Sequence, residues 1–473
     1  MSLPDIKKDF SGWYQEVVYQ AELADQSPVR GTYVIRPYGY RIWELIRGEL
    51  DNRIKETGHE NALFPLFIPE SFLKKEAEHV EGFAPEVAVV TYAGGKKLEE
   101  PLVVRPTSET MVHYMFARWI KSWRDLPLKI NQWANVVRWE MRPRVFLRTT
   151  EFSWQEGHTA HETALEAEQE AELMWKEYIS ISQNYLAIPV FSGIKTEQEK
   201  FPGGDRTYTF EAIMPDGKAV QMGTSHIISQ NFAKTFNMSY QNRDGELEYP
   251  YLTSWGVTTR LIGALLMVHG DQKGLILPPR VAPIQVVIIP IMKKGIDNKS
   301  LLDAIAKIES ELIKIGIRVH VDDEEQKTPG AKFYKWELKG VPLRIEFGNR
   351  DLEKGVVIAV DRLEGNKKSI ILNEVITEIP SMLNKIQEQL YNRAEKKVVE
   401  MGEKHKKLET FASRFSKEGG FYVTTGWCGN PECENKLKEY KGSIRCQIDS
   451  KEFENCFNCD DKSVTDVIIA KSY

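Results

Sequence analysis

The sequence lacks two features that would place it in common classes of protein. No apolar run among its 473 residues approaches the roughly 18 residues that a membrane helix needs, and the first residues contain no long apolar core. Positive charge is not in excess, because the formal net charge is −5 and the pI is near 6.1. Any contact with nucleic acid must therefore come from local patches. We expect a cytoplasmic protein with no membrane partner.

Cysteine is also absent from most of the chain, since all five cysteines lie between Cys428 and Cys459. Disulfides are not expected in a reducing compartment. Cys428 with Cys433, and Cys456 with Cys459, form two closely spaced pairs that are typical of a tetrahedral Zn²⁺ site, whereas Cys446 stands alone. We therefore predict structural Zn²⁺, with a redox pair or plain free thiols as the alternatives.

The remaining composition is that of a globular protein with several domains: 42% of residues are hydrophobic and 28% are charged. Prolines near residues 278–283 mark a linker. Beyond it, an apolar strand at residues 284–290 precedes a helix with an apolar stripe at residues 301–315. Strands and helices then continue to alternate, which predicts an α/β layer with parallel strand pairs.

Residues 137–158 bring arginines, carboxylates and aromatic side chains together. An apolar strand at residues 130–137 should place Arg138 and Glu140 on one face. A loop follows at Pro143, and residues 146–154 show the alternation of a returning strand. Guanidinium is planar and forked, so it suits a phosphate better than the lysine ammonium does. The segment predicts a hairpin at a nucleotide-activating site, or else an amphipathic hairpin with salt-bridged surface charges.

Other segments carry candidate residues that also have ordinary structural explanations. Thr107 and Glu109 precede an aromatic-rich helix, which a threonine or serine can simply cap. Residues 215–217, Pro-Asp-Gly, predict a hairpin turn, and His226 beyond it can be a satisfied structural histidine. Arg260 lies in the first turn of an apolar helix, which it can cap.

Residues 40–57 have isoleucine and leucine at i+4 spacing and predict a helix that ends at Gly58, and residues 62–64 predict a short strand. This helix, strand and proline pattern resembles motif 1 of the class II aminoacyl-tRNA synthetases. Residues 137–158 resemble motif 2 in its prolyl-tRNA synthetase version, and residues 253–271 resemble motif 3. The three motifs occur in order, so together they are far more specific than any one of them.

The resemblance implies an α+β fold with a class II synthetase antiparallel sheet and flanking helices at residues 1–280. An α/β anticodon-binding domain at residues 281–380 would follow, and then a small zinc-binding α+β C-terminal domain at residues 381–473. The last segment resembles that of the archaeal and eukaryote-like prolyl enzymes, in which the terminal tyrosine folds back towards the catalytic domain, so Tyr473 is expected to do the same. Lys327, Lys332 and Arg344 can face RNA, or form a solvated basic face.

The family activity implied is the ATP-dependent attachment of L-proline to tRNA(Pro) through a prolyl-adenylate, with release of AMP and pyrophosphate. The resemblance also implies Mg²⁺ at the pyrophosphate and a homodimer formed largely through motif 1. Arg138 and Arg260 are the implied catalytic residues. Proline would be bound by Thr107, Glu109, Arg138, Trp154, Phe201 and His226. ATP would be bound by Arg138, Glu140, Arg148, Phe152, Gln221, Thr224, Thr258 and Arg260.

Two rival functions share much of this pattern. A synthetase-like RNA-binding or regulatory protein would keep the fold, but it should have lost some of Thr107, Glu109, Arg138 and Arg260, and all are present. A class II enzyme for threonine or glycine would share the arginines and differ in the amino-acid pocket. About 100 residues separate motifs 2 and 3, which leaves no room for the large editing insertion of bacterial-type relatives.

Overall fold

The computed structural model describes residues 2–77, 86–292, 297–417 and 420–473. The elements of the N-terminal region are, in chain order, α1 (Phe10–Gln20), β1 (Ala24–Gln26), β2 (Tyr33–Ile35), α2 (Pro37–Glu56), β3 (Glu60–Asn61), β4 (Phe67–Pro69), α3 (Glu70–Ala77), β5 (Val89–Ala93), β6 (Lys96–Val104), α4 (Glu109–Trp119), β7 (Leu128–Val137), β8 (Glu151–His161), α5 (Ala164–Ser180), β9 (Phe191–Ile194), β10 (Arg206–Ile213), β11 (Lys218–Ser229), α6 (Asn231–Thr235), β12 (Tyr240–Gln241), β13 (Leu247–Glu248), β14 (Tyr251–Thr258) and α7 (Arg260–His269). A π-helical turn, Ile181–Tyr185, extends α5.

Two further groups of elements follow. The middle region contains β15 (Val286–Ile291), α8 (Lys299–Lys314), β16 (Val319–Val321), α9 (Pro329–Leu338), β17 (Leu343–Gly348), α10 (Asn349–Glu353), β18 (Val356–Asp361), β19 (Lys367–Ile371) and α11 (Val375–Met401). The C-terminal region contains β20 (Gly402–Lys404), α12 (Ala412–Lys417), β21 (Tyr422–Trp427), α13 (Pro431–Lys436), β22 (Ser443–Ile448) and β23 (Thr465–Ser472).

Helix α2 forms where the i+4 apolar stripe predicts it. Pro37 occupies its first turn, where its missing N–H is not needed, and Ile42, Ile46 and Leu50 are fully buried against the large sheet. Gly58 follows the helix with φ +86°, a conformation that favours glycine and ends the helix.

The centre of the molecule is an 11-stranded sheet in the order β20-β21-β23-β22-β9-β10-β11-β14-β8-β7-β3. From β9 to β7 every neighbouring pair is antiparallel. Helix α5 packs against β10, β11 and β14. The main apolar core lies between this sheet and helices α1, α2 and α7. The predicted antiparallel sheet with flanking helices is confirmed.

The middle region has its own five-stranded sheet, in the order β16-β15-β17-β18-β19. Strand β15 pairs in parallel with β16 and β17, while β18 and β19 pair antiparallel. Helices α8 and α11 bury their apolar faces on this sheet. The predicted α/β layer with parallel pairs is therefore present.

The strands of the C-terminal region belong to the large sheet and do not form a separate one. Strand β22 pairs with β9 at Gln447 and Ile194, and β23 pairs in parallel with the beginning of β11. Between the two regions, buried Glu211 accepts hydrogen bonds from Lys195 Nζ at 2.6 Å and from Arg445 Nε at 2.7 Å. Arg445 also donates through Nη2 to the other Glu211 oxygen at 3.1 Å, and this bidentate contact fixes the C-terminal region against β10.

Two predicted strands are wrong. Residues 62–64 are not a strand, because Pro65 follows them and Phe64 N donates to the Gln132 side chain instead of to a ladder. The returning strand of the hairpin begins at Glu151 and not at Phe146. Residues 145–147 form a turn in which three successive apolar side chains are buried.

Among the described residues, no helix combines the length and the apolar character that spanning a membrane requires.

Candidate active site

One cavity of about 540 Å³ opens on the face of β8, β10, β11 and β14. It collects residues that are far apart in the sequence, from the start of α4 to the start of α7. Eleven of the predicted site residues line it: Thr107, Glu109, Arg138, Phe152, Trp154, Phe201, Gln221, Thr224, His226, Thr258 and Arg260.

Arg138 lies just beyond Val137, where β7 ends as the sequence predicts. Its Nε donates to the Pro106 carbonyl oxygen at 2.8 Å, and its guanidinium carbon lies 5.3 Å from the Trp154 ring centre and 5.8 Å from that of Phe152. Burial lowers the pKa of Arg138, an effect that Glu109 opposes. The remaining N–H groups of this fixed cation can receive an anion.

Glu109 begins α4, but its neighbours do not cap that helix through their side chains. Ser108, at the N-cap position, makes no side-chain cap bond, and Thr107 Oγ1 donates to Glu109. Burial raises the pKa of the Glu109 carboxyl, and the charge of Arg138 acts in the opposite direction. The interpretation of these residues as a simple helix cap is therefore wrong, and a hydroxyl and a carboxylate converge on the cavity.

Glu156 and His158 also line the cavity, although they are not among the predicted site residues. They occupy alternate positions of β8 with Trp154, and this period of two is the signal that was available. Glu156 accepts hydrogen bonds from His158 Nε2 at 3.2 Å and from Gln132 Nε2 at 2.7 Å. Burial alone would lower the pKa of His158, but the hydrogen bond to Glu156 raises it above its ordinary value.

His226 is held as a neutral wall of the cavity. Its two ring nitrogens each lie 2.9 Å from a hydroxyl, that of Thr207 and that of Thr224. Burial, followed by the charge of His158, lowers the pKa of His226 to about 3. The ring centre of Phe201 is 4.6 Å from that of His226. These aromatic faces give the cavity a flat wall without charge.

Arg260 also lines the cavity, from the first turn of α7. Its guanidinium donates to the carbonyl oxygens of Leu147 at 3.1 Å and Gln221 at 3.2 Å. Burial first, and then the positive charges of Arg148 and Arg138, lower the pKa of Arg260 to about 10. The residue stays protonated at neutral pH, and its cationic neighbours favour an anion beside it.

Glu140 and Arg148 do not line this cavity. Their side chains pair at 3.6 Å, with the Arg148 side chain 53% exposed, and Glu140 also accepts the backbone N–H of Arg142. Arg148 lines an adjoining cavity that shares Gln221 and Arg260 with the first. Arg148 therefore lies at the edge of the site. Glu140 lines neither cavity and contacts the site through Arg148.

The four paired cysteines lie together at the end of the C-terminal sheet. Their sulfur atoms lie within 4.8 Å of one another, and Cys428 Sγ is 3.8 Å from Cys433 Sγ and 3.6 Å from Cys459 Sγ. Zn–S bonds of about 2.3 Å in a tetrahedron require sulfur separations of about 3.8 Å. The donor set Cys428, Cys433, Cys456 and Cys459 fits Zn²⁺, whereas Cys446 is buried elsewhere in the sheet.

The chain end docks on the N-terminal region, as the resemblance implied. Tyr473 N donates to Ala219 O at 3.1 Å, and its hydroxyl donates to Asp216 Oδ2 at 2.7 Å. The predicted Pro-Asp-Gly turn, which joins β10 and β11, is thus also the docking point of the last residue.

Two of the basic residues proposed for RNA in the middle region are engaged within the protein. Lys332 is 3% exposed and donates to the Asp322 carbonyl oxygen at 2.7 Å. Arg344 bonds to Glu346 at 2.9 Å and stacks on Phe333. The expectation that Lys332 faces RNA is wrong, because the fold buries its charge. For Arg344, which is partly buried and paired, contact with RNA stays a prediction. Lys327 remains 46% exposed.

Arg138 and Arg260 line one cavity on an antiparallel sheet, and an α/β domain follows. This arrangement is that of a class II aminoacyl-tRNA synthetase. The family described as tRNA synthetase class II core domain (G, H, P, S and T) matches residues 92–269, and the anticodon binding domain matches residues 285–382.

The C-terminal region identifies the member of that class, because the family described as prolyl-tRNA synthetase, C-terminal, matches residues 408–473. The chain is 50% identical to the proline–tRNA ligase of Chloroherpeton thalassium and 49% identical to that of Mycobacterium leprae (strain Br4923), with 98% of this chain covered in both comparisons and 98% and 97% of those proteins. The prolyl-tRNA synthetase of Cryptosporidium parvum, solved with L-proline and AMP, superposes with a TM-score of 0.93 at 40% identity, over 100% of this chain and 99% of that one. The chain belongs to the prolyl-tRNA synthetase family. Because both curated relatives are bacterial, they do not support the archaeal or eukaryote-like type.

Proposed function

We propose that this chain attaches L-proline to tRNA(Pro) in two steps. The carboxylate of proline attacks the α-phosphorus of ATP, which forms prolyl-adenylate and releases pyrophosphate. The terminal ribose hydroxyl of the tRNA then takes the prolyl group and releases AMP. Neither step needs a nucleophile from the protein, so the residues act by positioning and by stabilising charge. The observation that carries the proposal is the convergence of Glu109, Arg138 and Arg260 on one cavity.

Proline recognition is assigned to the end of the cavity near α4. The secondary ammonium has two N–H donors, which the Thr107 hydroxyl and the Glu109 carboxylate can accept. The carboxylate of proline meets Arg138, whose orientation is supported by its bond to Pro106. Trp154, Phe201 and neutral His226 would enclose the pyrrolidine ring, since flat apolar surfaces suit it. Glu156 accepts the backbone N–H of Ser108 at 3.3 Å and is itself bonded to His158, so both support this end of the cavity.

ATP is assigned to the region between Arg138 and Arg260. Arg138 would stabilise the charge that grows on the α-phosphate, and Arg260 would hold the far phosphate. Phe152 and Arg148 would enclose the adenine, with Arg148 moving in from its present contact with Glu140. Glu140 would then act by orienting Arg148. The other assigned ATP contacts are Gln221, Thr224 and Thr258.

Two metals belong to the proposal with different roles. Zn²⁺ would be structural and held by the four clustered cysteines. Mg²⁺ would neutralise the pyrophosphate. Magnesium usually takes one or two protein carboxylates together with phosphate oxygens, so its site is completed only by the nucleotide.

Partners and domain limits are also proposed. The segment after α2 exposes Leu63 (81%) and Phe67 (45%), and such apolar surface supports a homodimer formed through motif 1. We assign the domains to residues 1–280, 281–380 and 381–473, with α11 running across the second limit. We propose that this order of domains is the one found in the archaeal or eukaryote-like type. We also propose that the protein is located in the cytoplasm.

The test is pyrophosphate exchange into ATP, measured with each amino acid in the absence of tRNA. Exchange that depends strongly on proline supports the proposal. Equal or greater exchange with threonine or glycine assigns the chain to another class II specificity. No exchange with any amino acid supports the rival RNA-binding protein, which would have lost the chemistry.

A further inference from the structure

The chain between β9 and β10 forms part of the wall of the active-site cavity, and we call residues 195–202 the wall segment. Phe201 lines the cavity, together with Lys200 and Pro202 of the same segment. The ring centre of Phe201 lies 4.6 Å from that of His226. Loops are more mobile than the strands that they connect, and ordering a loop costs binding free energy. A loop that forms a flat wall of a binding site therefore needs contacts that hold it in place.

The wall segment begins with a turn at Thr196. The Thr196 carbonyl oxygen accepts the backbone N–H of Glu199 at 3.1 Å and that of Lys200 at 2.9 Å. Phe201 N then donates to Thr207 Oγ1 at 2.9 Å. The position of Thr196 therefore determines where the chain passes through Lys200 into Phe201.

Helix α13 of the C-terminal region contacts this turn. Thr196 Oγ1 donates to Glu434 Oε1 at 2.7 Å, and the two residues are only 1% and 3% exposed. A hydrogen bond to a carboxylate is stronger than one between neutral groups. Gln198 Nε2 also donates to the Pro431 carbonyl oxygen at 3.3 Å. Two side chains of the wall segment thus bind one short helix that lies 233 and 238 positions further along the chain.

Strand β22 of the C-terminal region contacts the wall segment at a second place. Gln447 Nε2 donates to the Lys195 carbonyl oxygen at 3.1 Å, beside the point where β22 pairs with β9. Helix α13 also contains Cys433, one of the four clustered cysteines, directly before Glu434. The C-terminal region therefore supports the wall segment through a strand and through the helix that is part of the cysteine cluster.

We propose that Glu434 is a positioning residue for proline binding, because its hydrogen bond to Thr196 holds the wall segment so that Phe201 faces the pyrrolidine ring. This inference rests on the proposed function, in which Phe201 encloses that ring. Glu434 does not line the cavity, so it acts through the wall segment. Phe201 touches the ring in the ground state and in the transition state alike. A displaced wall segment should therefore weaken proline binding with little change in kcat.

The test is the KM for proline in pyrophosphate exchange, with kcat and the KM for ATP measured alongside. Thr196→Val removes the hydroxyl at nearly constant size, and Glu434→Leu removes the acceptor. Each single variant leaves one buried polar group without its partner, whereas Thr196→Val/Glu434→Leu leaves neither and should fold more stably than the single variants. We expect the KM for proline to rise about three- to tenfold in the double variant, with kcat and the KM for ATP within about twofold of wild type.

Conservative variants separate the hydrogen bond from the packing around it. Thr196→Ser keeps the hydroxyl and Glu434→Gln keeps an accepting oxygen, so each should keep the KM for proline within about threefold of wild type. Lys436→Gln is the matched control, because Lys436 lies on the same helix, has a side chain that is 54% exposed and pairs with Glu439. A KM in Thr196→Ser as high as that in Thr196→Val overturns this inference, since the hydroxyl would then not position the segment.

An unchanged KM for proline in the double variant also overturns this inference and leaves the proposed function standing. So does an equal change in kcat and in the KM for ATP, because a general loss of structure would then explain the effect. A wild-type chain without proline-dependent exchange overturns the proposed function and this inference together.

Discussion

Glu109→Gln tests whether the proposed contact with the proline ammonium depends on the negative charge of the side chain or only on its size. Glutamine keeps the size of the side chain and can still accept the bond from Thr107, but it cannot carry a negative charge. Glu109 is 6% exposed, so its contact with the proline ammonium would form away from water. A hydrogen bond between charged groups in such a place contributes about 1.5–3 kcal/mol. We expect the KM for proline to rise about 10- to 150-fold, with a small change in the KM for ATP.

The same residue predicts how proline binding depends on pH. Burial raises the pKa of Glu109 above its ordinary value of 4.5, while an ammonium ligand needs the ionised carboxylate. As the pH falls through the raised pKa, proline must compete with a proton, and its KM should rise by up to about tenfold per pH unit. The Gln variant should lose this dependence. Exchange kinetics between about pH 5 and pH 8 measure both quantities.

Stability gives a control for correct folding. Because the pKa of Glu109 is raised on folding, the native state binds its proton more tightly than the unfolded chain does. The stability that this group contributes is complete below its ordinary pKa and is lost as the pH rises through the raised value. Glu109→Gln should therefore keep or raise the Tm at pH 8. Glu44→Gln, at an exposed pair with Arg41, is the matched control. A proline KM within twofold of wild type, or a pH dependence that persists in the variant, refutes the reasoning.

Three further predictions concern other parts of the molecule. Arg138→Ala should lower kcat/KM for proline-dependent exchange by about 10²- to 10³-fold, and Arg138→Lys should recover only part, since lysine cannot both bond to Pro106 O and fork towards an anion; an unchanged rate in Arg138→Ala would defeat the assignment. Glu211→Gln should lower the free energy of unfolding by about 3–5 kcal/mol in urea, because it leaves two buried cations without a counter-charge; a loss below 1 kcal/mol would contradict this. Cys428→Ser should reduce bound zinc in metal analysis, whereas Cys446→Ser should keep it, and full zinc in the first variant would rule out this site.

Much of the fold could be predicted from local patterns. Apolar residues at i+4 spacing predict helix α2, and the Pro-Asp-Gly turn predicts the β10–β11 hairpin. The segment at residues 145–147 could not be predicted in the same way. Three consecutive apolar side chains are compatible with a strand or with a buried turn, and only tertiary packing beneath α7 selects the turn. The continuity of the C-terminal sheet with β9 and β11 is likewise a long-range pairing that no local pattern encodes.

Site residues that belong to a sequence motif could be predicted individually. Residues whose hydrogen-bond or ion-pair partners are distant in the sequence were missed. Arg138 and Arg260 follow from their motifs. The alternation of Glu156 with Trp154 along β8 was available in the sequence, but its hydrogen bond with Gln132 joins two strands and is not visible in a local pattern. The prediction for Lys332 is wrong because a lysine is expected at the surface from the sequence alone. Its burial follows from its contact with Asp322.

The geometry of the pocket limits how well it can choose among small amino acids. The ammonium and carboxylate contacts assigned to Glu109 and Arg138 are common to every amino acid, so they cannot discriminate. Selectivity for proline then falls to the flat walls of Trp154, Phe201 and His226, which can exclude a larger side chain by contact. They cannot strongly exclude a smaller one, because a missing methylene changes binding by only about 1–3 kcal/mol. Alanine should therefore be activated at a measurable rate. Since the chain has no room for a large editing insertion between motifs 2 and 3, we expect such an error to be corrected elsewhere than in an insertion at that place.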